Sequence, residues 1–258
     1  MQVLVVIPTY NESENIEGVL HKVRGALPEA TVLVVDDGSP DGTGDLAEAV
    51  GAQIGNIEVL RRTEKAGLGS AYRAGFRWGL DRGFDVCVEM DADLSHDPDA
   101  LPDLVAPLVG ADAGTGDDGN GEVELVIGSR YIPGGSIPKW AWHRRLLSRG
   151  GNVYASALLG LGVTDSTAGF RAYAATVLRR IALDDIRAEG YGFQIEMTYQ
   201  AKRAGASIAE VPIRFVDRTR GESKMSTFIV VEAFGLVTWW GLQRIFRISG
   251  GRRQTARV

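Results

Sequence analysis

The sequence predicts an α/β domain built on a mostly parallel sheet. Through the first half of the chain, apolar runs without polar alternation recur, and each is followed by a segment with helical periodicity. Strands buried on both faces read as continuous apolar runs, and parallel neighbours need a crossover helix between them. Size and composition agree: 258 residues, 45% hydrophobic and 24% charged, are enough for a substantial soluble core.

The first run, "VLVVI" (3–7), leads into a helix expected from about Asn11 to Leu27. Pro8 should stop the strand, Asn11 cap the helix and Glu14 complete a capping box, which leaves Tyr10 and Glu12 unaccounted for. "TVLVVDD" (31–37) precedes a helix from Gly42, across the turn "GSPDG". Asp36 and Asp37 end that run; they can hydrogen-bond a ribose or base, or simply form an Asx-rich turn. "IEVLR" (57–61) precedes a helix over 70–82, and "RRTEKAGLGSAYRAG" between them offers a candidate anion site at a helix N-terminus. "DVCVEM" (85–90) precedes a helix near 97–109, and "ELVIGS" (124–129) follows a Gly/Asp-rich surface loop at 110–122. Beyond Arg130 come a loop, a helix over 144–161, strands at 166–173 and 208–217, and a helix at 193–205 between those strands. No internal repeat or long linker divides the chain. Residues 1–225 form one domain and 226–258 a C-terminal helix with a basic tail.

That last segment is apolar on nearly every face over 228–242, too short for the roughly 20 residues a bilayer requires. It suits an interfacial helix with Trp239 and Trp240 beside Arg244 and Arg247, a helix packed on the sheet, or a surface for a membrane-protein partner. The net charge of −5 is uneven: residues 202–258 carry 11 Lys/Arg against four Asp/Glu, so the basic quarter points to an anionic partner. No aromatic–basic platform accompanies it, so nucleic acid is not expected. The N-terminus reads as a strand rather than a signal peptide, and the lone Cys87 sits in an apolar run. Both fit a reducing compartment.

"VCVEMDADLSHDP" (86–98) carries the chemistry. Glu89, Asp91 and Asp93 stand two apart, which on a strand places like charges on one face. Asp91 and Asp93 flank Ala92 at the end of the run, where a shared divalent cation removes their repulsion. Oxygen-only donors suit Mg²⁺ or Mn²⁺, which bind substrate phosphates and keep waters. Glu89 is not explained by the metal and should pair with a basic residue behind the site.

Seven segments in order, "VVIPTYNE", "VVDDGSPDGT", "KAGLGSAYRAG", "MDADLSHDP", "GSRY", "DSTAGFRAY" and "DRTRGESKM", resemble the inverting GT-A glycosyltransferases of family 2, most of all the polyprenyl- (dolichyl-) phosphate mannose synthases. The resemblance covers roughly residues 3–225 and implies a GT-A nucleotide-diphospho-sugar transferase fold. It implies that Pro8, Tyr10, Glu12, Val35 and Asp37 hold the guanosine of GDP-mannose, and that Asp91, Ala92 and Asp93 form the DXD motif, with Ser95 as a third candidate metal ligand. Arg130, Arg144, Ser148, Arg218 and Lys224 match phosphate-binding positions. The implied reaction moves mannose to a polyprenyl phosphate with inversion, at the cytoplasmic face of a membrane. A phosphate acceptor is already anionic near neutral pH and needs no strong base. The alternatives are transfer of glucose from UDP-glucose to the same lipid, or a non-catalytic nucleotide-sugar-binding subunit.

Overall fold

In the computed structural model, residues 1–109, 122–186, 188–217 and 234–244 are described. The chain alternates β1 (Val3–Thr9), α1 (Ile16–Ala26), β2 (Thr31–Asp36), α2 (Thr43–Ile54), β3 (Ile57–Arg61), α3 (Leu68–Asp81) and β4 (Val86–Glu89). A 3₁₀ turn at Pro98–Ala100 runs into α4 (Leu101–Val109), then β5 (Val123–Ser129) and α5 (Trp142–Leu159). β6 (Arg171–Ala174), α6 (Ala175–Arg180), α7 (Gly190–Arg203) and β7 (Ser207–Pro212) follow, with a last helix, α8, at 234–244.

The seven strands lie in the order β3-β2-β1-β4-β6-β5-β7. All neighbours are parallel except β6, which runs antiparallel to both β4 and β5. Chain order reverses between β1 and β4: the connections from β1 run outward through β2 and β3, then cross back. At such a reversal the loops leaving the two strands diverge and open a crevice beyond their carboxyl ends. Alternation along β1 sends Leu4 and Val6 into one core, with α3, α5 and α7, and Val5 and Ile7 into the other, with α1, α2 and α4.

Several local expectations change. Pro8 does not end β1 but pairs with Val35 inside it. β4 stops pairing at Val6↔Glu89, so beyond that point β1 has one neighbour and tolerates a residue without an N–H. Asn11 does not cap α1: its φ is +57°, its N–H donates to Ser39 Oγ, and the helix begins at Ile16, with Glu14 exposed. The 12–15 turn is closed instead by the Glu12 carbonyl, which accepts from the Asn15 and Ile16 amides. The expected 166–173 strand begins only at Arg171 and runs to Ala174, because the Ser166 and Ala168 carbonyls curl inward to accept from the Arg171 guanidinium. α6 has no counterpart in the sequence reading. The Gly/Asp-rich loop lies outside the described residues.

α8 packs on α5. Val237 is buried, the Tyr154 hydroxyl pairs with Thr238, and Arg244 donates to the Leu158 carbonyl at 3.1 Å. Phe234, Trp239 and Leu242 nevertheless stay exposed. The helix is therefore both packed and apolar on its outer side.

α3 sits close on β1 because Gly75 and Gly79 face it. A Cβ at Gly75 would stand 2.4 Å from Val6 Cγ1. Glycine to alanine normally stabilises a helix interior by about 1 kcal/mol. At Gly75 the overlap reverses the sign, and Gly75→Ala should cost about 1–3 kcal/mol in urea unfolding. Gly18→Ala on α1, where nothing lies within 4 Å, should gain stability. Equal effects of the two substitutions would contradict the close approach.

Candidate active site

A cavity of about 780 Å³ opens at the carboxyl ends of β1, β2 and β4, at the reversal of strand order. From β1 and the turn after it come Pro8, Tyr10 and Glu12; Lys65 Nζ lies 4.5 Å above the Tyr10 ring. The two aspartates after β2 divide their work. Asp36 braces the turn, accepting from Thr9 Oγ1 at 2.9 Å and from the Ser39 amide at 3.0 Å. Asp37 faces the cavity, accepts from the Ala66 amide at 3.2 Å and lies 3.3 Å from Arg62. Burial raises its carboxyl pKa, with the Arg62 charge opposing. Val35 does not line the cavity, because its side chain is wholly buried in the core beneath α3.

The expected anion site at the start of α3 is filled by the protein itself. Glu189 accepts from the Gly69 amide at 2.7 Å, and its carboxylate occupies the space a Cβ on Gly67 would need. A carboxylate at a helix N-terminus satisfies orphan donors and the dipole together. Burial raises its pKa against the lowering effect of that N–H bond.

The segment after β4 brings Asp91, Ala92, Asp93 and Ser95 into the same cavity. Tyr72, from α3, donates its hydroxyl to Asp91 Oδ1 at 3.0 Å. Ser95 donates both its amide, at 3.0 Å, and its hydroxyl to Asp93 Oδ1. Its hydroxyl proton is thus committed to Asp93 and orients that carboxylate, while the hydroxyl oxygen keeps its lone pairs. Among the described residues no group of three or more acidic, His or Cys side chains could hold a metal. Mg²⁺ sites are commonly built from one or two carboxylates together with substrate phosphates and water.

Glu89 lies fully buried below the pair, and Arg171 of β6 stands opposite it in the sheet register. Burial pushes its pKa up to about 7, with the Arg171 charge opposing. Gln194 and Tyr173 lie beside it and favour its charged form, though neither carboxylate oxygen has a hydrogen bond of good geometry. The Arg171 donors go elsewhere, to the Ala168, Ser166 and Gln194 carbonyls and to Thr198.

The far wall carries the arginines. Arg130, just past β5, is gripped by Asp165: Nε to Oδ2 at 2.7 Å, Nη2 to Oδ1 at 2.6 Å, and its own amide to Oδ2 at 3.0 Å. Arg144, exposed on α5, lies 3.9 Å over the Trp140 ring and donates to Asp217 at 3.1 Å, while Trp140 Nε1 donates to the same carboxylate at 2.8 Å. Ser148, one helical turn on, does not line the cavity; it accepts from the Tyr131 hydroxyl at 2.7 Å. Arg218 and Lys224 lie outside the described residues. Asp165, Tyr72, Trp140 and Glu189 escaped the sequence reading. "DSTAGF" and "GSRY" are adjacent here, but nothing in their spacing announces the Arg130–Asp165 pair.

That pair yields a pH prediction. Burial alone would raise the Asp165 pKa, but Arg130 overcomes it and holds the carboxyl below its ordinary value. Its contribution is therefore present above the unfolded carboxylate pKa and is lost as pH falls through the folded one. Asp165→Asn strands a buried guanidinium and should cost about 3–5 kcal/mol at neutral pH, with a shallower loss of stability in acid. Unchanged thermal unfolding at pH 7 would refute the pair's structural weight.

Comparison with known proteins agrees with this geometry. The family model for glycosyl transferase family 2 matches residues 4–182. An undecaprenyl-phosphate mannosyltransferase of Micrococcus luteus is 53% identical over 242 residues, covering 94% of this chain and 95% of that relative. A polyprenol monophosphomannose synthase of Mycolicibacterium smegmatis is 49% identical over 96% of this chain and 90% of its own length. Among solved structures, glucosyl-3-phosphoglycerate synthase of Mycobacterium tuberculosis bound to phosphoglyceric acid superposes with a TM-score of 0.66 over 92% of this chain and 78% of its own, at 22% identity. The same enzyme with Mn²⁺, UDP-glucose and phosphoglyceric acid gives 0.63, at 21% identity over 92% of this chain and 80% of its own. The fold is of the GT-A type, and this chain belongs to glycosyl transferase family 2.

Proposed function

We propose that the protein is an inverting glycosyltransferase that moves mannose from GDP-mannose to a polyprenyl phosphate. The observation that carries this reading is convergence. Asp91 and Asp93 share one cavity with the Pro8–Glu12 turn and Asp37 on one side and with Arg130 and Arg144 on the other. One side suits a nucleoside and the other an anionic acceptor, with two carboxylates between them. The names carried by the Micrococcus and Mycolicibacterium relatives support the same acceptor and sugar.

Asp91 and Asp93 would hold Mg²⁺ or Mn²⁺, which, when bound, neutralises the donor diphosphate and the charge of the departing nucleotide. The protein's own groups supply the rest. Tyr72 and Ser95 fix the two carboxylates in advance. Lys65 and Tyr10 border the nucleoside end. Arg130 is pre-oriented by Asp165, and arginine's planar fork suits phosphate oxygens. Arg218 and Lys224 would add positive charge to that wall. The acceptor phosphate has a second pKa near about 6 and is an oxyanion already, so the work left is alignment and charge stabilisation.

The lipid tail needs an apolar exit, and α5 offers one beside Arg144. Trp142, Leu146, Leu147 and Val153 are 62–77% exposed there, near Arg145 and Arg149. Among the described residues no helix is long and apolar enough to cross a membrane. The reading is peripheral attachment at the cytoplasmic face, with the α5 side and the exposed residues of α8 turned toward lipid.

Mannose transfer from labelled GDP-mannose to a short polyprenyl phosphate, run beside UDP-glucose and GDP-glucose, tests the reaction. GDP-mannose should be preferred, and Asp93→Ala or chelation of divalent cations should lower turnover by at least about 10³-fold. A near-wild-type rate in that variant would sink the metal assignment. The combined change Trp142→Ser, Leu146→Ser, Leu147→Ser should abolish sedimentation with anionic vesicles; retained binding would move the lipid contact elsewhere.

A further inference from the structure

Gln194 stands in the cavity wall beside Glu89. It lies on α7, is 3% exposed and lines the cavity. Its main-chain carbonyl is well used, accepting from Arg171 and from Thr198 at 2.8 Å each. Its side chain lies beside Glu89 and favours that carboxylate's charged form, but neither Nε2 nor Oε1 makes a hydrogen bond of good geometry. A buried amide left in that state costs about 1–3 kcal/mol, and folded proteins seldom keep one without a use for it.

The space beside this amide is shaped by an absent side chain. A Cβ built on Gly169 would lie 3.5 Å from Gln194 Nε2, 3.8 Å from His96 Cε1 and 3.9 Å from Asp91 Oδ2. Gly169 thus leaves open a gap bordered by the carboxamide on one side and by one carboxylate of the metal pair on another. No backbone atom crowds that gap.

We propose that Gln194 reads the sugar of the donor: its carboxamide hydrogen-bonds a hydroxyl of the hexose being transferred, within the gap left at Gly169. The inference rests on the reading of the cavity as a nucleotide-sugar site. In such a donor the hexose is joined to the distal phosphate, so it falls next to the groups that address that phosphate. A hydroxyl both donates and accepts, and a carboxamide matches it with an NH₂ and a carbonyl oxygen. The residue type is informative as well. Glu89, Asp91 and Asp93 already concentrate negative charge here, and a further carboxylate would add to the repulsion. An amide supplies directional hydrogen bonds without charge. Specificity follows from desolvation: a site built to bond a hydroxyl discriminates strongly against a substrate lacking it, because its own buried groups are then left unpaired.

The test separates sugar reading from a structural role. Affinities of GDP and GDP-mannose are measured by calorimetry with Mn²⁺ present, together with kcat and KM for GDP-mannose and for GDP-sugars each lacking one hydroxyl. In the wild type, one deoxy donor should lose about 10- to 100-fold in kcat/KM. Gln194→Leu should lose about the same factor with GDP-mannose and then no longer distinguish that deoxy donor, with GDP affinity unchanged and the thermal midpoint the same or higher. Gly169→Ala meets only ordinary contacts and should fold, raise KM for GDP-mannose and leave inhibition by GDP as it was.

Three results would overturn the proposal. Gln194→Leu could weaken GDP and GDP-mannose equally, or it could keep full discrimination against every deoxy donor. It could also lower the thermal midpoint without changing discrimination, which would assign the amide to Glu89 beneath it. Failure of the functional reading looks different: wild-type protein would then transfer no mannose to polyprenyl phosphate. The binding comparison needs no acceptor, and running it in parallel with UDP and UDP-glucose keeps the role of Gln194 decidable in that case too.

Discussion

The guanidinium of Arg171 is the interaction on which the site depends. It is wholly buried, yet its donors reach the carbonyls of Ser166, Ala168 and Gln194 and the hydroxyl of Thr198. One side chain thereby joins β6, the loop before it and α7. Its charge also faces Glu89 across the sheet, under the two aspartates. A buried guanidinium is tolerable only when its donors are satisfied and an opposite charge is near. Carbonyls meet the first need and Glu89 the second. The same arrangement positions Gly169 and Gln194 beside Asp91, so the floor of the cavity and its sheet have a common anchor.

That anchor explains why three carboxylates can follow one another over 89–93. They do not share a single environment. Glu89 is buried opposite Arg171 in the sheet, Asp91 is held by Tyr72 at the cavity surface, and Asp93 is turned by Ser95. The chain leaves β4 after Glu89, and Leu94 adopts a φ of +58°, so the two-residue alternation of a strand no longer applies to the aspartates. The three carboxylates thus sit in separate settings, although Asp91 still raises the Glu89 pKa.

How much of this was legible in the sequence follows from the range of the forces involved. Continuous apolar runs and their following helices are local signals, and five of the strands appear close to where those runs lie. Asp91 and Asp93 were also legible, since two carboxylates around a small residue at a strand end have few purely structural uses. Three expectations changed because the partners involved are distant in sequence. The start of α3 looked like an open anion site because Glu189, 120 residues away from Gly69, is invisible to a local reading. The charge opposite Glu89, Arg171, could not be named because it comes from an antiparallel strand inserted into a parallel series. Asn11 looked like a helix cap, but Ser39 from the neighbouring turn takes its amide and pulls the chain into the left-handed region. Val35 sits within a matching motif, yet the pleat turns it into the core.

The two arginines of the far wall show how one chemical device serves two purposes. Arg130 and Asp165 are both buried, with side chains 4% and 0% exposed, and their bidentate contact cannot be exchanged without leaving a charge stranded. Arg130 is therefore a fixed element, presenting the edge of its guanidinium in one orientation. Arg144 and Asp217 are 46% and 38% exposed, and a pair of that kind is worth about 0–1 kcal/mol. Asp217 holds Arg144 against the Trp140 ring only weakly, so a phosphate dianion, with more charge and more oxygens, competes for the same guanidinium. On the proposed function, the inner arginine defines where a phosphate must sit, and the outer one remains exchangeable at the mouth where a lipid headgroup arrives. The α5 helix then has a physical reason to carry both Arg144 and the exposed Trp142: charge for the headgroup and apolar surface for its tail lie within one turn.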